Sequence, residues 1–565
     1  MKRFWFLIVL IFGILVFGLR RSWLSWWLGL PRPRNRVHVK RGIMIPTSGG
    51  IGLASDHYSP VTQSLCPTIF IRSPYGRNTK SGPFGMLTEF CAYRFVERGY
   101  NVLVQDVRGR FESQGEFEPF LHEREDAKAT FDWLKQQTWF DGQVGMWGSS
   151  YLGIVQWVVA DEPVIKALVP GITASNLYNI IFPDGAFDLS LTMRWTSLLR
   201  FQDTLIGWIR QLGVLFYVER DVRPSFNYLP IIQADEAMRK GKIDYYRRWI
   251  GLMRDDPVIS KQLQVIDHQK VNAPVHLIGG WYDFFLRGML ADYAALKANG
   301  HTPYLTIGPW RHVSNLFLMS TMLKPGIEWF DTHLKDQTQR LRVKPVRIYV
   351  MGANEWRDYE VYPPCSHPLT YYLQSGKHLG TQLLDASPSY YRYDPKQPTP
   401  SLGGAQFSLW AGARDNQKLE RRSDVLNFTS DVLPVPVEII GNVRFELYFR
   451  SSSEYTDFFV RLCDVYPDGR SINVCDGFIR IEPGKCNLQA DGSLHTPIEL
   501  WATAHRFLRG HRIRLLVSSG AHPRWARHTN TSNPLMDIAT CVAEQTIYHD
   551  PQHPSSLILP RMEIS

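Results

Sequence analysis

The chain of 565 residues exceeds the roughly 250–300 residues that one hydrophobic core usually supports, so several domains are expected. Its 44% hydrophobic and 21% charged residues are typical of folded globular proteins and exclude collagen-like, low-complexity and polytopic membrane classes. The formal net charge is +10, but residues 1–42 hold nine basic and no acidic residues, which leaves the rest of the chain close to neutral. The charge therefore gives no support to a nucleic-acid partner.

Residues 4–19 (FWFLIVLIFGILVFGL) form an apolar run after Lys2 and Arg3, which is the order found in signal peptides and signal anchors. No small-residue cleavage site follows, because Arg20 and Arg21 come next, so we expect an uncleaved anchor rather than a cleaved, exported form. A helix of this length rises about 24 Å, which is marginal for crossing a hydrocarbon core of about 30 Å. Residues 1–42 are thus predicted to be a signal or anchor segment that associates with a membrane. The flanking charges do not decide on which side of the membrane the rest of the chain lies.

Between residues 67 and 308, short apolar runs alternate with helical stretches. The runs are too apolar to have one wet face, so they indicate buried strands of a mostly parallel sheet. Residues 124–136 and 151–160 carry helical apolar spacing between such runs, which is typical of an α/β domain. Residues 171–270 interrupt this order with long amphipathic stretches that predict a helical cap insertion. The α/β domain is expected to comprise residues 43–170 and 271–342.

From residue 343 the pattern changes to many short strands separated by Gly, Pro and Asp turns. One of them alternates strictly, with Val443, Phe445, Leu447 and Phe449 on one face. This pattern predicts a C-terminal β-sandwich of the jelly-roll type over residues 343–565.

The most specific local feature is the segment 144–153 (VGMWGSSYLG), in which a strand ends in a sharp glycine-bounded turn and continues as a helix. This is the context of a nucleophile elbow, with Ser150 as the nucleophile and the N–H of Tyr151 facing the developing oxyanion. The strict GxSxG form is not met, because Leu152 stands where the last glycine would be. An ordinary serine in a strand-to-helix turn is the alternative.

A serine is a weak nucleophile, so it needs a base and an acid that orients the base. Asp283 follows the buried run 275–280, and His312 follows the run 304–308. The order Ser150, Asp283, His312 is the one that the α/β-hydrolase fold requires, so we expect these three residues to form a catalytic triad.

Several further motifs accompany the triad, and together they are specific although each alone is weak. The motifs are RSPYG (72–76), DVRG (106–109), SQG (113–115), WFDGQVGM (139–146), GSSYLG (148–153), GWYD (280–283), GPWRH (308–312) and FLRGHRIR (507–514). On these motifs the chain resembles the family of cocaine esterase, α-amino acid ester hydrolases, cephalosporin acylases and Xaa-Pro dipeptidyl-peptidases over about residues 40–560. In that family the elbow has the form GxSYxG.

The resemblance implies an oxyanion hole made by the N–H of Tyr151 and the hydroxyl of Tyr75. Each such donor typically contributes about 10²- to 10³-fold in rate. The neighbouring charges Asp106 and Arg108 are interpreted instead as a structural ion pair beneath the active site.

The resemblance also bears on the substrate. Relatives that select a free α-amino group place acids shortly after the triad aspartate, whereas here Phe284 and Phe285 follow it. An apolar or aromatic acyl group is therefore expected, with Phe285 as a substrate-binding wall, although both rings could simply pack in the core.

Cleavage of carboxylic esters or amides through an acyl-enzyme is the leading hypothesis, acting on a small-molecule ester, an amide or a short peptide. No cofactor and no metal are expected, because the scattered cysteines form no metal or redox motif. A peptidase of the Xaa-Pro dipeptidyl-peptidase type is one alternative, and a catalytically retired jelly-roll binding protein is another. A homodimer is left open.

Overall fold

The computed structural model describes residues 21–204, 214–239, 241–251, 266–338 and 341–563. The chain forms two compact units. The first contains the described residues within 1–171, 267–278 and 315–342, and the second contains those within 172–266, 279–314 and 343–565. The domain boundaries predicted from the sequence stay a prediction.

Strands occur along the whole described chain. In chain order they are β1 (Val37–Pro46), β2 (Gly52–Pro60), β3 (Cys66–Ser73), β4 (Asn101–Asp106), β5 (Phe140–Ser149), β6 (Ile165–Gly171), β7 (His276–Tyr282), β8 (Tyr304–Arg311), β9 (Val346–Val350), β10 (Glu355–Tyr359), β11 (His367–Gln374), β12 (His378–Gly380), β13 (Ser389–Tyr393), β14 (Leu426–Ser430), β15 (Val437–Ser451), β16 (Thr456–Val465), β17 (Ser471–Ile481), β18 (Asn487–Leu488), β19 (Leu494–Phe507), β20 (Arg512–Ser518), β21 (Ala543–Tyr548) and β22 (Ser556–Met562).

The α-helices are concentrated before residue 336. They are α1 (Pro83–Val96), α2 (Glu123–Lys135), α3 (Tyr151–Trp157), α4 (Tyr178–Ile181), α5 (Leu189–Thr204), α6 (Val214–Phe226), α7 (Asp244–Gly251), α8 (Leu286–Ala298), α9 (Asn315–Lys335) and α10 (Gln417–Glu420).

The first unit is built on a sheet with the strand order β1-β2-β4-β3-β5-β6-β7. The strands β4, β3, β5 and β6 pair in parallel, and β1 and β2 pair antiparallel at one side. Every residue of β3 and β4 is buried, because helices cover parallel sheets on both faces and leave neither face wet. The expectation of an α/β-hydrolase domain with a mostly parallel sheet is confirmed.

Parallel pairing also fixes where strand ends lie. Phe70 of β3 is opposite Met146 of β5, and Ser149 of β5 is opposite Gly171 of β6. The carboxyl ends of these strands therefore meet at one edge of the sheet, which is where ligands bind in open α/β sheets.

In the second unit, the described residues between 172 and 251 are mainly helical, which agrees with a helical insertion after β6, and its bounds stay a prediction. Helix α5 begins after Asp188, whose Oδ1 accepts a hydrogen bond from Leu191 N–H at 2.8 Å and so satisfies one of the exposed donors of the first turn. Its buried side chains include Met193 and Leu199, so the helix turns an apolar face inward.

The C-terminal part of the second unit is the predicted β-sandwich. Its strands follow the order β13-β21-β15-β22-β11-β12-β14-β20-β16-β17-β19-β18, and an additional pairing of β15 with β19 closes the ring. Val443, Phe445, Leu447 and Phe449 of β15 are fully buried while the residues between them are exposed or half-buried. The strict alternation predicted for this strand is confirmed.

The prediction of a membrane location is wrong. No helix in the part of the chain that the structure describes is long and apolar enough to cross a bilayer. The helical residues 21–27 rise only about 10 Å, against a hydrocarbon core of about 30 Å. Arg21 Nε lies 2.8 Å from Oε1 of Glu97, and Arg98 Nη2 donates to Ser25 Oγ at 2.8 Å, so this segment is fixed to the first unit. Residues 4–19, on which the prediction rested, lie outside the described residues.

Candidate active site

Ser150 occupies the turn between β5 and α3. Its φ of 58° and ψ of −124° lie in a region that side chains other than glycine rarely adopt. Gly148, two residues earlier, has φ 150°, and a Cβ there would lie 2.4 Å from Cβ of Leu152. The backbone therefore requires glycine at 148, and the turn has the sharp geometry of a nucleophile elbow.

The backbone N–H groups of Ser150 and Tyr151 have different roles at this turn. The N–H of Ser150 donates to the carbonyl oxygen of Gly171 on the neighbouring strand at 2.9 Å, which ties the turn to the sheet. Tyr151 is the first residue of α3, and N–H groups in the first turn of a helix point toward its N-terminus, where negative charge is stabilised. Of these two donors, the N–H of Tyr151 is thus the one suited to an oxyanion.

The side chain of Tyr151 is held by a network that sequence reasoning missed. Its hydroxyl donates to Oε1 of Glu123 and accepts a hydrogen bond from the N–H of Phe120 at 3.2 Å, while the Tyr151 ring stacks on that of Phe120 at 4.7 Å. Arg72 Nη1 lies 2.8 Å from Oε2 of Glu123, deep in the unit. Burial raises the pKa of the Glu123 carboxyl and raises the pKa of Tyr151 well above its usual value. The network fixes the residue whose N–H is the candidate oxyanion donor.

Tyr75 follows the end of β3 by two residues. Since β3 and β5 are parallel neighbours, Tyr75 and Ser150 lie at the same edge of the sheet on adjacent strands. The N–H of Tyr75 donates to Ser73 Oγ at 3.0 Å, and its half-buried ring lies 5.9 Å from that of Phe84. These contacts hold the loop that carries the tyrosine.

Asp283 and His312 come together in the second unit, directly after β7 and β8. His312 Nδ1 lies 2.8 Å from Oδ2 of Asp283, and Oδ1 of Asp283 accepts a hydrogen bond from the N–H of Phe285 at 2.8 Å. Both side chains are almost completely buried. A carboxylate at Nδ1 holds the proton there and makes Nε2 the basic nitrogen, which is the arrangement that a general base requires.

Three phenylalanine rings surround the imidazole of His312. The ring centroids of Phe284, Phe285 and Phe407 lie 4.3, 5.6 and 5.5 Å from that of the imidazole. Phe407 belongs to the C-terminal part of the chain and was missed, because no motif marks it. Phe285 thus contacts the candidate base, and its role as a substrate wall stays a prediction.

The predicted ion pair of Asp106 with Arg108 is wrong. Asp106 pairs with Arg77, and Arg108 pairs with Asp126. Burial raises the pKa of Asp106 to about 7, against the attraction of Arg77. The two charges of the DVRG turn therefore bind partners in different segments.

The candidate residues are distributed between the units. Ser150, Tyr151 and Tyr75 belong to the first, and Asp283, His312 and Phe285 belong to the second. Within the described ranges, no group of three or more His, Cys, Asp or Glu side chains converges as metal ligands.

The sequence matches two families in succession. Residues 49–314 match the X-Pro dipeptidyl-peptidase (S15 family), and residues 341–558 match the X-Pro dipeptidyl-peptidase C-terminal non-catalytic domain. The cocaine esterase of Rhodococcus sp. (strain MB1 Bresler) is 32% identical over 589 aligned residues, which cover 92% of this chain and 98% of the esterase.

Solved structures share the fold over nearly the whole chain. An α-amino acid ester hydrolase has a TM-score of 0.78 at 22% identity, covering 94% of this chain and 97% of that protein. An aminopeptidase from the marine sediment archaeon Thaumarchaeota archaeon has a TM-score of 0.76 at 21% identity, covering 93% and 96%. At this level of identity the likeness shows a shared fold alone.

Proposed function

Because the chain belongs to the X-Pro dipeptidyl-peptidase S15 family, as its motifs predicted, it is a serine hydrolase of esters or amides, and we propose that Ser150, His312 and Asp283 are its catalytic triad. The observation that carries the proposal is the hydrogen bond of His312 Nδ1 to Asp283 at 2.8 Å. It gives the histidine the tautomer that a general base needs, on the segment that follows β8. The elbow geometry of Ser150 supports the assignment of the nucleophile.

In this mechanism, Oγ of Ser150 attacks the carbonyl carbon of the substrate while Nε2 of His312 takes its proton. The carbonyl oxygen becomes an oxyanion, which the N–H of Tyr151 and the hydroxyl of Tyr75 stabilise as the charge appears. The intermediate then expels the alcohol or amine, which receives the proton from His312. Asp283 stabilises the imidazolium throughout.

Water completes the cycle by the same route. It attacks the acyl-enzyme as His312 takes one of its protons, the second oxyanion collapses, and Ser150 leaves with that proton while the carboxylic acid is released. No step needs a group that this chain does not supply.

We infer that the acyl group is apolar or aromatic. Phe284 and Phe285 follow the triad aspartate directly and both are buried beside His312. These rings offer no charge to pair with an ammonium group, and the buried carboxylate of Asp283 is already engaged by His312 and by the N–H of Phe285, so desolvating an ammonium group there would be costly. The name of the cocaine esterase relative records an ester substrate, which agrees with ester cleavage.

A peptidase activity is the second candidate, because the family is described by its X-Pro dipeptidyl-peptidases. The same triad chemistry cleaves amides, so the two activities differ in the substrate pocket rather than in the catalytic residues. The alternative of a retired binding protein loses its support, since the chain is a member of a hydrolase family. The sequence and the structure do not decide whether the chain forms a homodimer.

The test is turnover by the purified full-length chain of p-nitrophenyl acetate, p-nitrophenyl benzoate and an Xaa-Pro-p-nitroanilide. Replacing a triad serine typically lowers kcat about 10⁶-fold, so Ser150→Ala separates true activity from contamination. Ester turnover that Ser150→Ala abolishes supports the triad, and the ratio of ester to anilide cleavage ranks the two activities. Equal turnover by both proteins, with Ser150 also unlabelled by a fluorophosphonate probe, would overturn the assignment.

A further inference from the structure

A cavity of about 520 Å³ lies within the second unit, near the carboxyl ends of β8 and β9. Its volume falls in the range of about 300–1,000 Å³ that is usual for small-molecule sites. Arg311 and Arg414 both line it, together with Tyr349, Asn354 and Tyr466. Among the residues that the structure describes, no aspartate or glutamate lines this cavity. Its wall therefore carries two formal positive charges that no lining carboxylate compensates.

Among the described residues, the hydrogen bonds of the Arg311 side chain go to backbone carbonyls. Its Nη1 donates to the carbonyl oxygens of Leu409 at 2.9 Å and Ala411 at 3.2 Å. In the described parts of the chain, no carboxylate lies within ion-pair distance of it, in contrast to Arg461 and Arg480 of the same unit, which pair with aspartates. The two carbonyl contacts use one nitrogen of the guanidinium, so its orientation is fixed while its other nitrogens remain suited to an oxyanion.

Arg414 approaches the same cavity from the loop that follows Trp410. Its Nε donates to the carbonyl oxygen of Trp410 at 3.2 Å, and its guanidinium carbon lies 6.0 Å from the centre of the Trp410 ring. It too has no carboxylate partner within the described ranges. Two arginines that face one cavity repel each other, and an anion between them would turn that repulsion into attraction.

We propose that this cavity binds a small molecule through an oxyanion, a carboxylate or a phosphate group, held by Arg311 and Arg414. Guanidinium groups bind such oxygens in pairs of parallel hydrogen bonds, which gives geometric selection as well as charge. The aromatic side chains of Tyr349 and Tyr466 offer apolar surface for the rest of the ligand. The lining residues include none of the proposed catalytic residues, and Arg311 directly precedes His312 in the chain.

Isothermal titration calorimetry of the full-length chain with inorganic phosphate, succinate and uncharged succinamide tests this proposal. We expect the anions to bind and succinamide to give no heat, with affinity falling as sodium chloride rises from 50 to 500 mM because salt screens the charges. Tighter binding of phosphate or of succinate identifies which oxyanion the site prefers. No binding of either anion, or equal binding of succinamide, would overturn the proposal.

Variants localise the binding. Arg414→Gln should weaken anion binding at least about tenfold, since it removes charge-assisted hydrogen bonds. Arg311→Lys keeps the charge but loses the planar guanidinium, and should weaken binding severalfold, with a thermal melt to show that the variant is folded. Arg392→Gln, an exposed arginine of β13 paired with Glu544, is the matched control and should bind as the wild type does. Unchanged binding by Arg414→Gln would place the anion elsewhere and refute the site.

Discussion

The carboxylate of Asp283 divides its two oxygens between His312 and the backbone. Oδ2 lies 2.8 Å from His312 Nδ1, and Oδ1 accepts a hydrogen bond from the N–H of Phe285 at 2.8 Å. The second bond fixes the plane of the carboxylate, so the first can set the orientation and tautomer of the imidazole. Asp283 is thus oriented by its own chain before it orients the base.

Asp283→Asn should lower kcat for p-nitrophenyl acetate by about 10⁴-fold, because an amide at this place favours the wrong imidazole tautomer. KM should change little, since the shape of the side chain is kept. Asp292→Asn is the matched control, because this buried aspartate of α8 accepts hydrogen bonds from Ser175 instead. Steady-state kinetics of the two variants tests this role of Asp283, and equal losses of kcat in both would show that Asp283 has only a structural role.

Tyr75→Phe should lower kcat by about 10²- to 10³-fold with little change in melting temperature, because it removes an oxyanion donor from a half-buried side chain. Tyr151→Phe should instead change kcat little and lower the melting temperature. It keeps the backbone N–H but removes the hydroxyl that bonds Oε1 of Glu123 and the N–H of Phe120, at a cost of about 1–3 kcal/mol in the free energy of unfolding. Kinetics and thermal melts of both variants test this contrast, and a Tyr75→Phe enzyme with wild-type kcat would remove Tyr75 from the oxyanion hole.

Phe285→Leu should reduce kcat/KM for p-nitrophenyl benzoate relative to p-nitrophenyl acetate, if Phe285 contacts an aromatic acyl group. One ring contact contributes about 0.5–1.5 kcal/mol, so we expect a shift of severalfold to about tenfold in the ratio. Phe428→Leu, in the buried core of the β-sandwich, is the control that loses packing without changing the ratio. Identical ratios in the wild type and Phe285→Leu would leave Phe285 as a packing residue.

Stability at acid pH should depend on His57. This buried imidazole stacks on Trp139 at 3.8 Å, its Nε2 lies 3.1 Å from Oδ1 of Asn101, and burial lowers its pKa to about 4. In the unfolded chain the imidazole of His57 binds a proton near pH 6.5, whereas in the folded chain it does so only near pH 4. Its contribution to the free energy of unfolding is therefore fully present above pH 6.5 and is lost as the pH falls toward 4. The loss amounts to about 3 kcal/mol, at about 1.4 kcal/mol for each pH unit.

Urea unfolding of the wild type and His57→Gln at pH 7, 5.5 and 4 measures this contribution. As the pH falls, the free energy of unfolding should decrease more in the wild type than in His57→Gln, because glutamine does not titrate. Other acid-sensitive groups are common to both proteins and cancel. Parallel pH dependences in the two proteins would contradict the assignment to His57.

The sequence was sufficient for the features that local pattern controls. The apolar runs predicted the parallel sheet, and the alternation of Val443, Phe445, Leu447 and Phe449 predicted a strand with one buried face. The elbow at Ser150 was also recognisable, since the small residues of a sharp turn lie next to one another in the chain. In each case the determining interactions are close in sequence.

Contacts between distant segments were recognisable only where a motif marked both partners, as it did for Asp283 and His312. Asp106 and Arg108 are near neighbours and of opposite charge, yet each pairs elsewhere, with Arg77 and Asp126, because neighbouring side chains in a turn point in different directions. Phe407 reaches the imidazole of His312 across 95 positions of the sequence, and no local spacing marks such a contact. The support of Tyr151 by Glu123 likewise depends on how α2 packs in the first unit.

At Ser150 the requirements of stability and of the proposed catalysis conflict. A side chain other than glycine at φ 58° and ψ −124° costs about 1–3 kcal/mol, so Ser150→Gly would relieve strain while it removes the proposed nucleophile. An inactive chain can then be the more stable one. Laboratory evolution that selects for heat resistance alone should therefore favour replacement of this serine, whereas selection for turnover should retain it together with its strain.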